Sequence, residues 1–274
     1  ATRAAREIFA EIAEAAWQCA DPGVQFETTI NRWHTSPTAG PINASNPCSE
    51  YLHLDNSACN LSSLNLLSFL GDDDQFDVEG FRAAAQIMIT AQEILVSHSS
   101  YPTEKIGENT RRYRQLGLGY TNLGALLMAT GKAYDSDAGR STAGAITALM
   151  CGEAYRTSAR IARRMGPYAG FADDRDAMLR VLDMHRNAAA ALDRSVLDDE
   201  MANAIAESWS EACELAEQGG PGSVGQKGQH RYYEQQDANA GHHQHGRRWP
   251  TKFAHGVIRR RHVRRHPEVR IRAG

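Results

Sequence analysis

From Asp77 to Gln218 the chain reads as one helical pattern after another. Phe81, Ala85, Met88 and Ile89 lead into the run from Ala91 to Leu95, and Tyr101-Pro102 closes it. Leu116-Gly117-Leu118-Gly119 leads into a second stretch, from Asn122 to Thr130. A long Ala-rich stretch covers 137–165, and further helical patterns occupy 173–192 and 198–218. Apolar residues returning at a period near 3.6 place one apolar stripe on each helix, and every stripe needs a partner surface. The chain is therefore committed to a helix-rich fold after residue 79.

Residues ahead of this region are patterned differently. Ile8, Ile12, Ala15 and Cys19 fall at helical spacing, with Glu7, Glu11 and Glu14 between them, so 4–19 is an amphipathic helix ended by Asp21-Pro22-Gly23. Val24 to Ile30 has strand-like content. Residues 31–50 carry Pro37, Gly40, Pro41 and Pro47 among small polar residues, which is a long loop, and long ordered loops are often functional. Residues 51–70 alternate short apolar runs with Asn and Ser.

Composition narrows the class. With 42% hydrophobic and 23% charged residues, 274 residues can build a sizeable core as one large domain or two small ones. No signal-peptide pattern is visible, and no apolar run reaches the ~18 residues of a membrane span. The five cysteines are Cys19, Cys48, Cys59, Cys151 and Cys213, without a C-x-x-C pair. A few irregularly spaced thiols suit a reducing cytoplasm rather than a disulfide framework. Cys19, Cys151 and Cys213 lie in helical patterns and read as packed small hydrophobes. Gly117, Gly119 and Gly124 miss the dinucleotide-binding spacing, and a tight strand-to-helix turn accounts for them.

The net charge of −3 hides a split, with −12 over residues 1–218 and +9 over 219–274. The second segment is rich in His, Arg and Gly and has no apolar period. It is expected to be disordered, or translated out of frame, and to lie outside the folded unit at 1–218. Arg259–Arg265 allows a rival reading, nucleic-acid binding through phosphate charge, although no recognition module accompanies it. His242, His243 and His245 could meet a metal only if a fold fixed their geometry, and no metal site is expected there. A further alternative is a non-catalytic remnant that only folds or associates.

Chemistry concentrates in Asn46-Pro47-Cys48-Ser49-Glu50. In an extended segment alternate side chains share one face, so an amide, a thiol and a carboxylate could meet one small substrate. The thiol can give up a hydrogen atom or attack, the carboxylate can take a proton and the amide can hold a hydroxyl. A proline turn with an incidental cysteine fits the same five residues.

A longer comparison favours the first reading. Ile42 to Glu50, followed by Ala58-Cys59-Asn60-Leu61-Ser62-Ser63-Leu64-Asn65-Leu66, resembles the finger loop and following strand of adenosylcobalamin-dependent (class II) ribonucleotide reductases. Asp21-Pro22-Gly23, Thr28 to Thr35, Tyr101-Pro102-Thr103, Leu116 to Tyr120 and Met184-His185-Arg186 are similar to the same family in the same order, and the likeness runs from about 4 to about 218.

The resemblance implies an α/β fold, part of a ten-stranded barrel with the finger loop at its centre. It implies that Cys48 becomes the thiyl radical that takes the ribose 3′ hydrogen. Glu50 then accepts the 3′-hydroxyl proton, Asn46 holds the substrate and helps the 2′-hydroxyl leave, and Cys59 is one of two reducing cysteines. Ser45, Asn46, Pro47, Cys48, Ser49 and Glu50 form the substrate-binding loop. The cofactor is adenosylcobalamin, the substrate a ribonucleotide, most simply a diphosphate, and the reductant a thioredoxin-type dithiol. The family's N-terminal half, with the partner of Cys59, and the Thr/Pro/Gly phosphate loop expected after Gln218 are not found in this sequence. The expectation is therefore an incomplete, inactive piece of the catalytic chain.

Overall fold

A computed structural model describes residues 3–222 and 224–225 of the chain. The helical patterns appear as α1 (Ala5–Cys19), α3 (Val78–His98), α5 (Leu123–Ala129), α6 (Asp137–Met165), α7 (Phe171–Ala190) and α8 (Asp199–Gly219); two helices that the sequence patterns did not mark, α2 (Glu27–Arg32) and α4 (Glu104–Tyr113), lie between them. Three strands complete the set: β1 (Asn60–Asn65), β2 (Gln115–Thr121) and β3 (Val224–Gly225). Four of the helices begin where a short polar side chain takes an orphan amide. Asp77 accepts from the Gly80 N–H, Thr103 from Ile106, Ser136 from Gly139 and Asp198 from Met201.

The strands form one parallel sheet in the order β1-β2-β3, with Asn60 opposite Leu116 and Gln115 opposite Val224. The described residues thus hold three parallel strands and no closed barrel. The segment similar to the strand after the finger loop is indeed a strand. The chain stays structured past Gln218: Gly220 to Gly222 are buried or packed, and Val224–Gly225 extend the sheet. The Arg259–Arg265 and His242–His245 clusters lie outside the described residues.

Two sequence expectations fail. Val24–Ile30 is not a strand; its second half is helical. Strand-forming content stabilises only when a neighbouring strand and a buried face are present. Here Ile30 alone of α2 is buried, and Asn31 closes the turn by donating to the Glu27 carbonyl. Cys19 is not packed. It is exposed at the end of α1, a helix with no buried residue, where Ile8, Phe9 and Trp17 are also exposed.

The main core lies between α3, α6, α8 and the sheet, around Leu66, Phe81, Leu149, Met178 and Trp209. α6 and α8 approach closely because Gly152 has no side chain: a Cβ there would meet Ser208 Cβ at 2.9 Å. The Trp209 indole N–H donates to the Ala148 carbonyl at 3.0 Å across the same seam.

An ionic hub sits inside this packing. The Glu153 side chain on α6 is wholly buried. Its Oε1 accepts from Arg82 Nε of α3 at 2.8 Å, from Arg156 Nη1 at 2.9 Å and from the Ser208 hydroxyl of α8 at 2.6 Å. Its Oε2 accepts from Gln86 at 2.9 Å. Arg82 and Arg156 both reach Glu207 of α8 as well. Burial alone would raise the Glu153 pKa, but hydrogen bonds from Ser208, Arg82 and Gln86 and the charge of Arg156 hold it below the usual carboxylate range.

A carboxylate whose folded pKa lies below its unfolded value stabilises the fold above the unfolded pKa, and the contribution is lost as pH falls through the folded pKa. Glu153→Gln leaves two arginines short of a buried counter-charge and should cost about 3–5 kcal/mol at neutral pH. Denaturant titrations should show this loss together with a flatter stability profile below about pH 4. A variant as stable as the parent would show that the hub is not a stabilising element.

Candidate active site

Residues 31–50 are irregular but firmly held. Asn31 exchanges two hydrogen bonds with the backbone of Ile42, at 2.9 and 3.2 Å. His34 accepts the Ser36 N–H at Nδ1 and lies 2.9 Å from the Gly40 carbonyl at Nε2, so the ring is held at both nitrogens. Buried Asp174 of α7 accepts from the Thr38 N–H at 2.8 Å. Trp33 is buried with its ring centroid 4.9 Å from that of His185, so residues from two of the family-like runs meet in packing. Beneath the loop, Ile30, Ile42 and Leu52 form a small separate apolar cluster.

The loop's working end is a turn, not an extended run. The Ser49 N–H donates to the Asn46 carbonyl at 3.0 Å, and Ser49 adopts φ +62°. Asn46 also grips the far side: its N–H donates to the Tyr51 carbonyl at 3.3 Å, and its Oδ1 accepts from the Tyr51 N–H at 2.9 Å. The alternate-face geometry expected for Asn46, Cys48 and Glu50 is therefore replaced by a curl. A proline at the second position of a tight turn, with a left-handed residue two places on, cannot keep the strand period.

The curl sorts the side chains by exposure. Pro47 and Cys48 are exposed at the turn. Ser45 and Ser49 are partly buried, and the Gln25 amide donates to both hydroxyls. Glu50 is partly buried, and its Oε2 is shielded from solvent without a hydrogen-bond partner among the described residues. Partly buried Cys59 feels the charge of this carboxylate. Burial first, and the Glu50 charge second, push its thiol pKa up to about 12. Burial also raises the Tyr51 phenol, opposed by its hydrogen bond with Ser57 and reinforced by Cys59. Glu50, Tyr51 and Cys59 thus share one electrostatic neighbourhood, and Cys48 is exposed at the turn.

Helix α4 braces the approach to Cys59. Thr110 Oγ1 accepts from the Ala58 N–H at 2.9 Å, and the Asn109 amide donates to the carbonyls of Asp55 and Asn56 at 3.2 and 3.0 Å. On the other side Gln92 of α3 donates to the carbonyls of Asn60 and Gly117, both at 2.8 Å, bridging β1 and β2 directly after the cysteine.

The family model described as "Ribonucleotide reductase, barrel domain" matches residues 1–223. The chain belongs to the ribonucleotide reductase family. The vitamin B12-dependent ribonucleotide reductase of Streptomyces coelicolor is 53% identical over 221 residues, covering 79% of this chain and 23% of that protein. The enzyme of the same name in Agrobacterium fabrum is 44% identical over 235 residues, covering 80% and 18%. The vitamin B12-dependent ribonucleoside-diphosphate reductase of Mycobacterium tuberculosis is 35% identical over 171 residues, covering 62% and 25%. The chain thus spans a quarter or less of the length of these relatives.

In this ribonucleotide reductase segment, Gln25, Tyr51, Ser57 and Thr110 hold the candidate residues, and sequence reasoning did not single them out. Gln25 sat inside a stretch read as strand, and a single hydroxyl or amide in a loop carries no periodic signal. Among the described residues no helix is long and apolar enough to cross a membrane.

The exposures order the thiols. Thiolate is the reactive form, so a buried thiol with a raised pKa reacts slowly. With iodoacetamide at about pH 8, exposed Cys19 and Cys48 should be labelled at least about tenfold faster than Cys59, Cys213 and buried Cys151. Peptide mass mapping over time reads this order directly, and labelling of Cys59 as fast as Cys19 would contradict the burial of the Cys59 thiol.

Proposed function

We propose that this chain supplies the catalytic loop of a ribonucleotide reductase that converts ribonucleotides, as diphosphates, to 2′-deoxyribonucleotides through a thiyl radical. The observation that carries this reading is the division of labour at the turn. Cys48 stands at its exposed apex, while Glu50 is partly buried with Oε2 acceptor capacity unused, and its charge reaches Cys59.

Each residue then has one task. Cys48 takes the 3′ hydrogen of the ribose and returns it at the end. Glu50 accepts the 3′-hydroxyl proton. Asn46 spends its Oδ1 on the loop, which leaves its amide N–H groups to hold a substrate hydroxyl while the 2′-hydroxyl departs as water. Ser45, Pro47 and Ser49 shape the loop around the sugar. The two electrons and two protons come from Cys59 and a second cysteine elsewhere in the enzyme, which end as a disulfide that a thioredoxin-type dithiol reduces.

The relatives' names carry vitamin B12, and we take adenosylcobalamin as the cofactor. The chemistry it supplies when bound is an initiating radical from cobalt–carbon homolysis. An exposed thiol at a rigid apex fits a hydrogen donor that must face such a group. Holding the thiol on a turn gripped by Asn46 limits the side reactions open to a mobile radical.

The coverage of the relatives supports reading the chain as a section of the catalytic barrel that is inactive alone. The family-like section runs to residue 223, and we place the change to the basic segment after it. The setting is the cytoplasm, where these thiols stay reduced.

The test uses a full-length reductase carrying this segment. Cys48→Ser should lose nucleotide reduction to background, because an O–H bond is too strong to be opened to a comparable radical. Cys59→Ser should stop multiple turnover while leaving the first radical step. After turnover without reductant, mass mapping should find Cys59 joined to an upstream cysteine. Turnover by Cys48→Ser, or a Cys59 thiol that persists while another pair oxidises, refutes the corresponding role.

A further inference from the structure

The segment between the two proposed reaction cysteines has to hold two groups at a set separation. It leaves the turn at Glu50 and returns at Cys59 through an irregular stretch, with Asn56 at φ +52°. Irregular backbone keeps its shape only where side chains or packing fix it. Helix α4 fixes one side, through Thr110 and Asn109. The other side is fixed by Tyr51.

Tyr51 makes three ties at once. Its backbone N–H and carbonyl both bond Asn46, which anchors it to the turn. Its phenol hydroxyl reaches across to the Ser57 hydroxyl, two residues before Cys59. Ser57 Oγ in turn donates to the Leu54 carbonyl, closing the stretch into a compact loop. The phenol is therefore the side-chain cross-tie from the turn that carries Cys48 and Glu50 to the approach of Cys59.

We propose that Tyr51 is a positioning residue for ribonucleotide reduction: its hydroxyl, acting through Ser57, holds the approach to Cys59 to the turn that carries Glu50 and keeps the thiol away from water. The inference rests on the reading that Cys48, Glu50 and Cys59 do the chemistry, and it adds how the reductive thiol is kept in register with the acid–base group. The half-buried setting of the phenol and its raised pKa agree with a hydroxyl that stays protonated and hydrogen-bonded at neutral pH. A tie of this kind should matter most in the reductive half of the cycle, when a thiol must give up hydrogen close to the carboxyl without drifting out as a solvated thiolate.

The 274-residue chain itself is enough for the test. Iodoacetamide labelling at about pH 8, read by peptide mass mapping, is compared for the parent, Tyr51→Phe, Ser57→Ala and Ser57→Thr. Tyr51→Phe and Ser57→Ala should each speed Cys59 labelling by about fivefold, the order expected for one lost hydrogen bond. The double variant should be no faster than the faster single, because both remove the same tie. Ser57→Thr keeps the hydroxyl and should restore the parent rate to within about twofold. Cys151 and Cys213, in the helical core, should not change in any variant.

Unchanged Cys59 labelling in both Tyr51→Phe and Ser57→Ala overturns the proposal. So does a parallel rise at Cys151 and Cys213, which would mean general loosening, or a failure of Ser57→Thr to restore the rate. If Tyr51→Phe does not fold, the Ser57 pair decides alone. No turnover is involved, so this result stands or falls separately from the Cys48→Ser outcome.

Discussion

Glu153 sets the frame on which everything else rests. A carboxylate with no solvent exposure is stable only if nearly all its acceptor capacity is filled, and here four donors from three helices fill it. The direction of the demand matters. Arg82, Arg156 and Ser208 do not pack together for their own sake; each has a strong reason to be where Glu153 is. Three helices that could slide along apolar stripes are thereby held in one register. Gly152, the next residue back, makes the arrangement sterically possible by letting α8 come in against α6.

From this frame the candidate site is reached in two steps. Gln92 lies on the same helix as Arg82 and bonds both Asn60 and Gly117, so the ends of β1 and β2 inherit the register of α3. Asn60 follows Cys59 directly, which ties the cysteine to the helical core, while Ser57 and Tyr51 tie its approach to the turn. The turn is held from another direction, by Asn31, His34 and Asp174 and by the cluster of Ile30, Ile42 and Leu52. Two segments, each anchored to its own neighbours and cross-tied by Tyr51, therefore come together around Glu50 and Cys59. Such pre-set geometry suits chemistry that needs its groups held in place.

How much of this could be read from the sequence follows from what each signal depends on. The long helices were legible because burial of one face repeats every 3.6 residues and needs no knowledge of the partner. The residues of the turn were legible as candidates because thiol, amide and carboxylate stand together there, but a proline turn fits the same five residues, and only the longer family-like run separated the two readings. Their arrangement was not legible. Alternation along an extended chain is the default geometry, but Pro47 and the left-handed Ser49 bend the backbone, and that depends on hydrogen bonds Asn46 makes to a residue five positions on. Val24–Ile30 misled for a related reason: strand content is realised only against a neighbouring strand. Cys19 misled because a helical stripe promises burial, while α1 buries no residue among those described.

The spacing of the hub's members along the chain has a consequence for synthesis. Arg82 and Glu207 are separated by 125 positions, and Glu153 and Ser208 by 55. On a ribosome α3 and α6 emerge long before α8, so Arg82, Arg156 and Glu153 must wait, hydrated, for the last donor and the covering helix. Until then Gly152 presents an open groove rather than a seam. The hub therefore closes across a separation far longer than the contacts that shape the loop turn, and loop closure over that span carries an entropy cost that the local turn contacts do not.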